Sequence, residues 1–367
     1  MKTKRWHPLQ ALAVAACIGL APSSAHAQTL ATTEQIDENI AYAIGVQAVF
    51  YGFGPVVMHQ GILAQTDADS PSDNGQAPIN QMGHARNLYG PDDKLVVTAN
   101  NDTLYSIAAL DLSREPMVPT IPDTNGRYYI MQLLDAYSRS IEDIGIGTLG
   151  AKGGTFAIVG PHWTGELPPE MVMIRSPTPE VSIIGRTGVD SPEDLAKAHE
   201  VQDAYRLVPL SEYASPVKKT DLAHKGASAQ VLLPKGFGFY AVLDAPMRKN
   251  PLPEDAPVTD QFKRIGIGLN KPFDAASLPA PTQRGLGRAL ADSLQAIQRT
   301  AKDTGSRVNG WYMNGKNRYT LSFDGKVPVR AFWSLTMHDA KELCMVQNAI
   351  KRYSIGERAS RPTPMAA

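Results

Sequence analysis

Cysteine is nearly absent: Cys17 and Cys344 are the only two in 367 residues. Once residues 1–27 leave as a leader, Cys344 stands alone and no disulfide within the chain can form, so the fold relies on its core. Cys344 lies in an apolar-polar run (Leu343 to Val346) and is expected to be a small core residue. Excess charge is also absent, with 36 basic and 36 acidic side chains. There is no basic run and no aromatic-basic stripe, so nothing electrostatic argues for nucleic acid or anionic lipid as partner. The common catalytic signatures are missing too: no G-x-S-x-G, no H-E-x-x-H, no P-loop. The histidines beyond residue 27 (His59, His84, His162, His199, His224, His338) show no ligand-like spacing, so no transition metal is expected. A calcium site from Asp102, Asp135, Glu142 or Asp143 lacks a loop pattern. Gly145 to Gly150 spells G-x-G-x-x-G, but a strand-like run, Phe156 to Val159, follows where a dinucleotide site needs a helix. No cofactor is therefore expected.

What is present starts at the N-terminus. Lys2, Lys4 and Arg5 precede a short apolar stretch, residues 9–21, and Ala25-His26-Ala27 is an A-x-A cleavage site before Gln28. This is the pattern of a secretory signal peptide and predicts a periplasmic or secreted protein. Its removal leaves 33 basic against 36 acidic side chains, a charge of −3. Val14-Ala15-Ala16-Cys17 offers a competing lipoprotein cleavage, and a lipid on Cys17 is the one route by which a membrane becomes a partner.

Twenty-eight prolines and 30 glycines are scattered as punctuation between short segments, which predicts a β-rich α+β protein. Thr32 and Gln35 form a capping box for a helix from Thr32 to about Tyr51, with Ile36, Ile40, Ala43, Ile44 and Ala48 on one face and Gly52-Phe53-Gly54-Pro55 as its stop. Residues 66–80 read as a polar exposed loop. Strands are expected at 95–98, 104–112, 127–135, 155–159, 171–175 and 181–186, with Asn100-Asn101-Asp102 as a hairpin-like turn. A helix from Ser191 to near Leu207 follows, with His199 on a solvated face. A connector spans 214–235, and a second half begins near Gly236. Gly285 to Lys302 is an amphipathic helix whose face is Leu286, Leu290, Leu294, Ile297 and Ala301, capped by Gly305. Strands at 319–323 and 329–336 and a short helix at 338–348 complete the reading.

Several stretches carry a resemblance: NNDTLYS (100–106), LDLS (110–113), GRYYIMQLLDAYS (126–138), GP-x-W (160–163), SPTPEV and IGRT (176–187) and QDAYRLVPL (202–210), then RIGIGLNKPFD (264–274), NRYTLSF (317–323), AFWSLTMHD (331–339) and RYSIGER (352–358). The chain resembles domain-of-unknown-function family 1254, whose members carry a partner domain, family 1214. The resemblance implies an N-terminal β domain with flanking helices at 28–213 and a jelly-roll-like β-sandwich at 236–358, with a frayed tail at 359–367. It implies no established activity. The stretch between Gly305 and Arg318 is shorter than the family pattern, and the chain stops soon after RYSIGER, so the second domain is expected to be incomplete.

The polar residues with most chemical potential cluster between 100 and 137. Asn100, Asn101, Asp102 and Thr103 sit between apolar strands, where a structural turn competes with a ligand contact. Arg127, Tyr129 and Asp135 share strand parity, with Tyr128 on the other face. Arg127 and Asp135 lie too far apart along one strand for direct contact, so each needs another partner. Tyr105, Tyr137, Trp163, Trp311 and Trp333 add rings of the kind that stack on sugars or line a core rim. The first expectation is a binder of a polar small molecule or saccharide, using Asn100, Asn101, Asp102, Tyr105, Arg127, Tyr129 and Asp135. The second is a hydrolase or lyase at the same place, with Asp102 or Asp135 as base, Tyr105 or Tyr129 as proton donor and Arg127 holding an oxyanion. The third is an envelope interaction protein without a small-molecule site. Mass analysis of the exported protein is expected to find Gln28 at the N-terminus; a lipidated Cys17 overturns that and makes the protein membrane-anchored.

Overall fold

Helix α1 (Thr33–Gln65) runs 33 residues and opens on the expected capping box, in which Thr32 and Gln35 each accept from the other's backbone N–H. The structure is a computed structural model describing residues 31–216, 221–226, 231–304, 307–308, 311–312, 316–320, 322–329, 331–339 and 343–357. The leader with Cys17, the Gly305 cap and the tail after Glu357 lie outside the described residues. α1 does not stop at Gly52-Phe53-Gly54-Pro55 but continues through Pro55. The missing amide of Pro55 is tolerated because Pro55, Val56, Ile62 and Gln65 all reach buried positions beyond it. The expected single face of α1 is in fact split: Ile44 and Ala48 are buried, whereas Ile36, Ile40 and Ala43 are exposed.

Two sheets form from the residues before 210. The first, ordered β1-β2-β8-β4-β5, is antiparallel throughout: β1 (Met82–His84), β2 (Thr103–Asp111), β4 (Tyr129–Asp135), β5 (Ser140–Gly145) and β8 (Glu180–Gly188). The second, ordered β7-β6-β3-β9, holds β3 (Met117–Ile121), β6 (Gly154–Val159), β7 (Val172–Arg175) and β9 (Arg206–Pro209), with β6 and β7 parallel. Alternation in β4 puts Tyr129, Met131 and Leu133 on a buried face with Leu110, Val181 and Ile183, and these pack against Met117, Phe156 and Ile158 of the second sheet. Residues 95–98 are not a strand, and β2 pairs instead with β1 and β8. The glycine-rich 145–150 segment itself holds a single helical turn, α2 (Ile146–Leu149), and is followed by the strand β6.

The loop after α1 is exposed only in part, at Asp67, Asp69, Ser70 and Ile79. Ser72, Asn74 and Gln76 are buried and hydrogen-bonded to one another, and Gln76 also donates to the Ala64 carbonyl. A self-satisfied side-chain network lets a polar segment enter the interior. His199, on α3 (Leu195–Asp203), is half-buried, with Nε2 at 2.8 Å from the Arg86 carbonyl.

Beyond residue 236 the chain begins with helices. α4 (Gly238–Lys249), the short α5 (Ala256–Thr259) and α6 (Ala280–Thr304) follow, and α4 and α6 bury Phe239, Tyr240, Leu243, Leu286 and Leu290 against α1. The expected α6 face is correct at Leu286, Leu290, Leu294 and Ile297, but the helix starts five residues earlier, at Ala280. The side chain of Ala301 lies outside the described set. Among the described residues, the part of the chain expected to be a jelly roll carries two two-stranded ladders, β10 (Arg307–Val308) with β11 (Trp311–Tyr312) and β12 (Ser334–Thr336) with β13 (Ser354–Gly356). The described residues of 319–323 and 338–348 are neither strand nor helix, apart from isolated bridges. The β-rich α+β class itself stands. Cys344 is buried, as expected.

The α1–α6 contact is close because Gly285 faces α1: a Cβ there would lie 2.4 Å from the Glu38 carbonyl and 2.9 Å from the Ala41 Cβ. Gly287, two residues on, has open space. Gly285→Ala is expected to destabilise by about 1 to 3 kcal/mol through overpacking. Gly287→Ala should instead stabilise by about 0.5 to 1 kcal/mol through helix propensity. Urea unfolding of the two variants checks the opposite signs.

Candidate functional site

Six of the seven candidate residues gather at one end of the first sheet. Thr103 pairs with Gly188, Tyr105 with Arg186 and Tyr129 with Thr187, so the start of β2 and the start of β4 flank the end of β8. Asp135 pairs with Val181 at the opposite end, six residues and roughly 20 Å away. The candidate residues also point apart. Tyr129 is level with Thr187 and Leu104 and faces the inter-sheet core, whereas Tyr105 is level with Arg186 and faces the other side. These candidate side chains therefore do not share one face of the sheet.

Each of these residues has a structural use. Asn100 Oδ1 accepts from the Asp102 and Thr103 amides, both at 3.0 Å, and from Thr103 Oγ1 at 2.9 Å, a side-chain-closed turn that opens β2. Asn101 Nδ2 donates to the Tyr89 carbonyl at 2.6 Å. Tyr105 is buried and stacks on Tyr89 with centroids 4.7 Å apart, while the Arg186 guanidinium lies 5.6 Å from its ring and its hydroxyl accepts from the Asn100 amide. Ser354 approaches Asp102 Oδ1 at 3.4 Å, and the Thr98 amide donates to Leu343, so this turn is where the C-terminal segment docks.

Arg127 forms a two-pronged ion pair with Asp194 at 2.5 and 2.7 Å and donates to the Gly188 carbonyl. The guanidinium holds the Asp194 carboxyl down at about 2, and the carboxylate in turn raises Arg127. Tyr129 is fully buried and donates to the Gly150 carbonyl. Asp135 is buried and accepts from the Tyr137 and Arg139 amides and from Arg139 Nε at 2.6 Å, which organises the turn between β4 and β5. Tyr128 meets Phe332, and Trp163 and Trp333 lie in separate clusters, so the rings do not converge either.

A buried Ser–His pair escaped the sequence reading. His84 Nδ1 lies 2.9 Å from Ser106 Oγ, which also accepts from Gln202 Nε2. Burial, reinforced by the nearby Arg86 charge, pushes the imidazole down to about 3 and keeps it neutral. Ser106 is fully buried, so the pair is a core hydrogen bond without access for a substrate.

A cleft among the described residues lies elsewhere, where α1, the β4–β5 turn and the segment after α4 meet. It encloses about 280 Å³ and is lined by Tyr51, Tyr137, Met247, Arg248, the Pro251-Leu252-Pro253 turn, Ala256, Thr259, Asp260, Lys263 and Gly268. The two phenol rings meet edge-to-face at 5.8 Å, and Tyr51 packs likewise on Phe262. Tyr51 donates to Asp255 Oδ2 at 2.9 Å, and Tyr137 to the Asn250 carbonyl at 2.9 Å. Burial pushes the Tyr51 phenol well up, helped by the Tyr137 phenol and the Asp255 carboxylate; burial also raises Tyr137. Both stay protonated at neutral pH. Arg248 pairs with buried Asp244 at 3.1 Å, and Lys263 pairs with Asp260 at 2.6 Å on the exposed rim. The arrangement offers two aromatic faces, phenol oxygens able to accept, and cations beside carboxylates. Of these, the sequence reading noted only Tyr137; the Pro251-Leu252-Pro253 punctuation between two helices was the other available signal.

Comparison with known proteins bears out the resemblance in both parts of the chain. Residues 79–209 match a family described as a protein of unknown function (DUF1254), and residues 298–366 match a second family with the same description (DUF1214). A crystal structure of the VPA0106 protein from Vibrio parahaemolyticus is similar in fold, with a TM-score of 0.60 and 19% identity over 87% of this chain and 84% of that one. No functionally curated protein matches.

Asp194→Asn is expected to destabilise by about 1 kcal/mol at pH 7. The folded carboxyl titrates at about 2, below its ordinary value. The stabilisation is therefore complete above that ordinary value and lost as the pH falls towards 2. Urea unfolding of both proteins across that range should show their difference shrinking; a constant difference contradicts the ion-pair account.

Proposed function

We propose that this chain is an exported protein that binds a polar small molecule, with a single sugar ring the best-fitting class, in the cleft between Tyr51, Tyr137 and Arg248. The observation that carries the reading is that cleft: about 280 Å³, apolar in its walls, with phenol, guanidinium, ammonium and carboxylate groups at its edge. Small-ligand sites combine mostly apolar walls with a few converging polar groups. Tyrosine faces suit the C–H face of a pyranose, and Arg248 and the Asp260–Lys263 pair suit its hydroxyls. The leader sequence at residues 1–27 supports export. The hydrolase or lyase reading has less support at this cleft, because burial raises both phenols and makes them weak proton donors at neutral pH.

Thermal melts against sugars, uronic acids and small carboxylates test the proposal, since a ligand raises the melting temperature of the state it binds. One class is expected to raise it. Lys263→Ala, at an exposed ion pair, should weaken that ligand about tenfold or more, whereas Arg127→Ala should leave its affinity unchanged. A cooperative melt that no ligand moves, or binding lost with Arg127 and kept without Lys263, overturns the cleft as the site.

A further inference from the structure

The outer face of the first sheet, turned away from the second sheet, carries polar groups that the fold does not use. Antiparallel partners share a face, so Ile107 of β2, Ile184 of β8, Gln132 of β4 and Asp143 of β5 form one row across it, and Tyr105, Arg186 and Ile130 form the next. α1 reaches one border of this strip, where Gln65 accepts from Ser182, and the C-terminal segment reaches the other, where Phe332 meets Tyr128 edge-on. Between these borders Ile130, Gln132, Asp143, Ile184 and Arg186 are half-buried. The Arg186 guanidinium lies 5.6 Å from the Tyr105 ring and, among the described residues, has no hydrogen bond or ion pair. Other half-buried arginines in this part of the chain are satisfied: Arg86 by Asp203, Arg127 by Asp194, and Arg206 by the Glu212 and Ser215 carbonyls. Gln132 likewise makes no side-chain hydrogen bond among the described residues, and Asp143 Oδ1 is buried without one.

The geometry points to a second binding site on this strip, for a small hydroxycarboxylate whose carboxylate takes the Arg186 fork and the Gln132 amide and whose hydroxyl donates to Asp143 Oδ1. The site is separate from the cleft beside Tyr51 and does not rest on it. A half-buried guanidinium without a partner carries a desolvation cost that an anion offsets, and its planar fork matches a carboxylate. The Tyr105 contact is electrostatic and leaves the guanidinium N–H groups to find acceptors elsewhere. Charge then selects the ligand group at each end. Arg186 and Asp143 stand on the strands either side of β4, about 12 Å apart at Cα by strand spacing, and no ion pair closes that gap among the described residues. The carboxylate of Asp143 repels a second anion and accepts a hydroxyl, since an ionised carboxyl offers acceptors alone. Ile130 and Ile184 supply an apolar floor for the carbon chain between the two ends.

Phenylglyoxal labelling of the mature chain, read arginine by arginine with peptide mass spectrometry, tests the site. Arg186 is expected to label faster than ion-paired Arg127. Butyrate should slow labelling at Arg186, and 3-hydroxybutyrate should do so at about fivefold lower concentration, the worth of one hydrogen bond. Asp143→Ala, on the edge strand β5, should abolish that advantage, so that the two probes protect alike. Labelling at Arg248 reads the cleft in the same sample, so protection there and not at Arg186 assigns the carboxylate to the cleft and overturns this site. An Arg186 no more reactive than Arg127, or one that neither carboxylate protects, also overturns it. Stronger protection by inorganic phosphate than by 3-hydroxybutyrate, or a hydroxyl advantage that survives Asp143→Ala, does the same.

Discussion

The close seating of α1 is the constraint on which the rest of the architecture depends. Where α1 meets α6, Gly285 lets the two backbones approach, and Gly45 lets Ala289 and Leu286 come within contact of α1 from the same side. Where it meets α4, Gly52 leaves room for Leu243. Any larger side chain at these points moves a helix, and the helices hold everything attached to them. Tyr51, further along α1, then sets one wall of the cleft, and Gln65 at its end hydrogen-bonds Ser182 in the first sheet.

The helical layer and the sheets are joined by charge rather than by apolar packing alone. Lys249, at the end of α4, pairs with Asp111 of β2 at 2.9 Å and with Glu180 of β8 at 2.8 Å, and Asn250 donates to the same Glu180 and accepts from its amide. Glu180 is buried, so removal of either partner would leave a desolvated carboxylate, and the junction is held in one arrangement. The cleft opens beside this junction because Pro251-Leu252-Pro253 must turn away immediately after Asn250 is fixed. Its shape follows from the joint between layers, and the rings of Tyr51 and Tyr137 fill the angle.

The polar cluster at 100–135 illustrates how chemistry-bearing residues become structural. Asn100 replaces a backbone turn partner, Arg127 and Asp194 neutralise each other at the end of the sheet, and Asp135 closes a tight turn with Arg139. A half-buried guanidinium or carboxylate must be paired, and once it is paired by the protein it has little left to offer a ligand. The charged groups at the layer joint are paired as well, but Arg248, Asp260 and Lys263 stay partly exposed there.

Local patterns were legible in the sequence wherever a short window contains the cause. The Thr32–Gln35 capping box, the alternation of 129–135 and the Leu286–Ile297 stripe all appear as read, since capping and periodicity involve neighbours a few residues apart. The continuation of α1 through Pro55, the burial of Ser72 to Gln76 and the partition of α1 into a covered and an open face were not legible, because each is decided by elements far along the chain. The same holds for function: residue types announced that Arg127 and Asp135 needed partners, but Asp194 lies 67 residues from Arg127, and only the closed fold chose it. Sequence alone determined the segments whose cap or period lies within a short window, such as the start of α1, β4 and the α6 stripe; tertiary structure decided where α1 ends, which expected strands pair, and which polar groups are consumed in holding the segments together, because those choices depend on long-range proximity that no local pattern encodes.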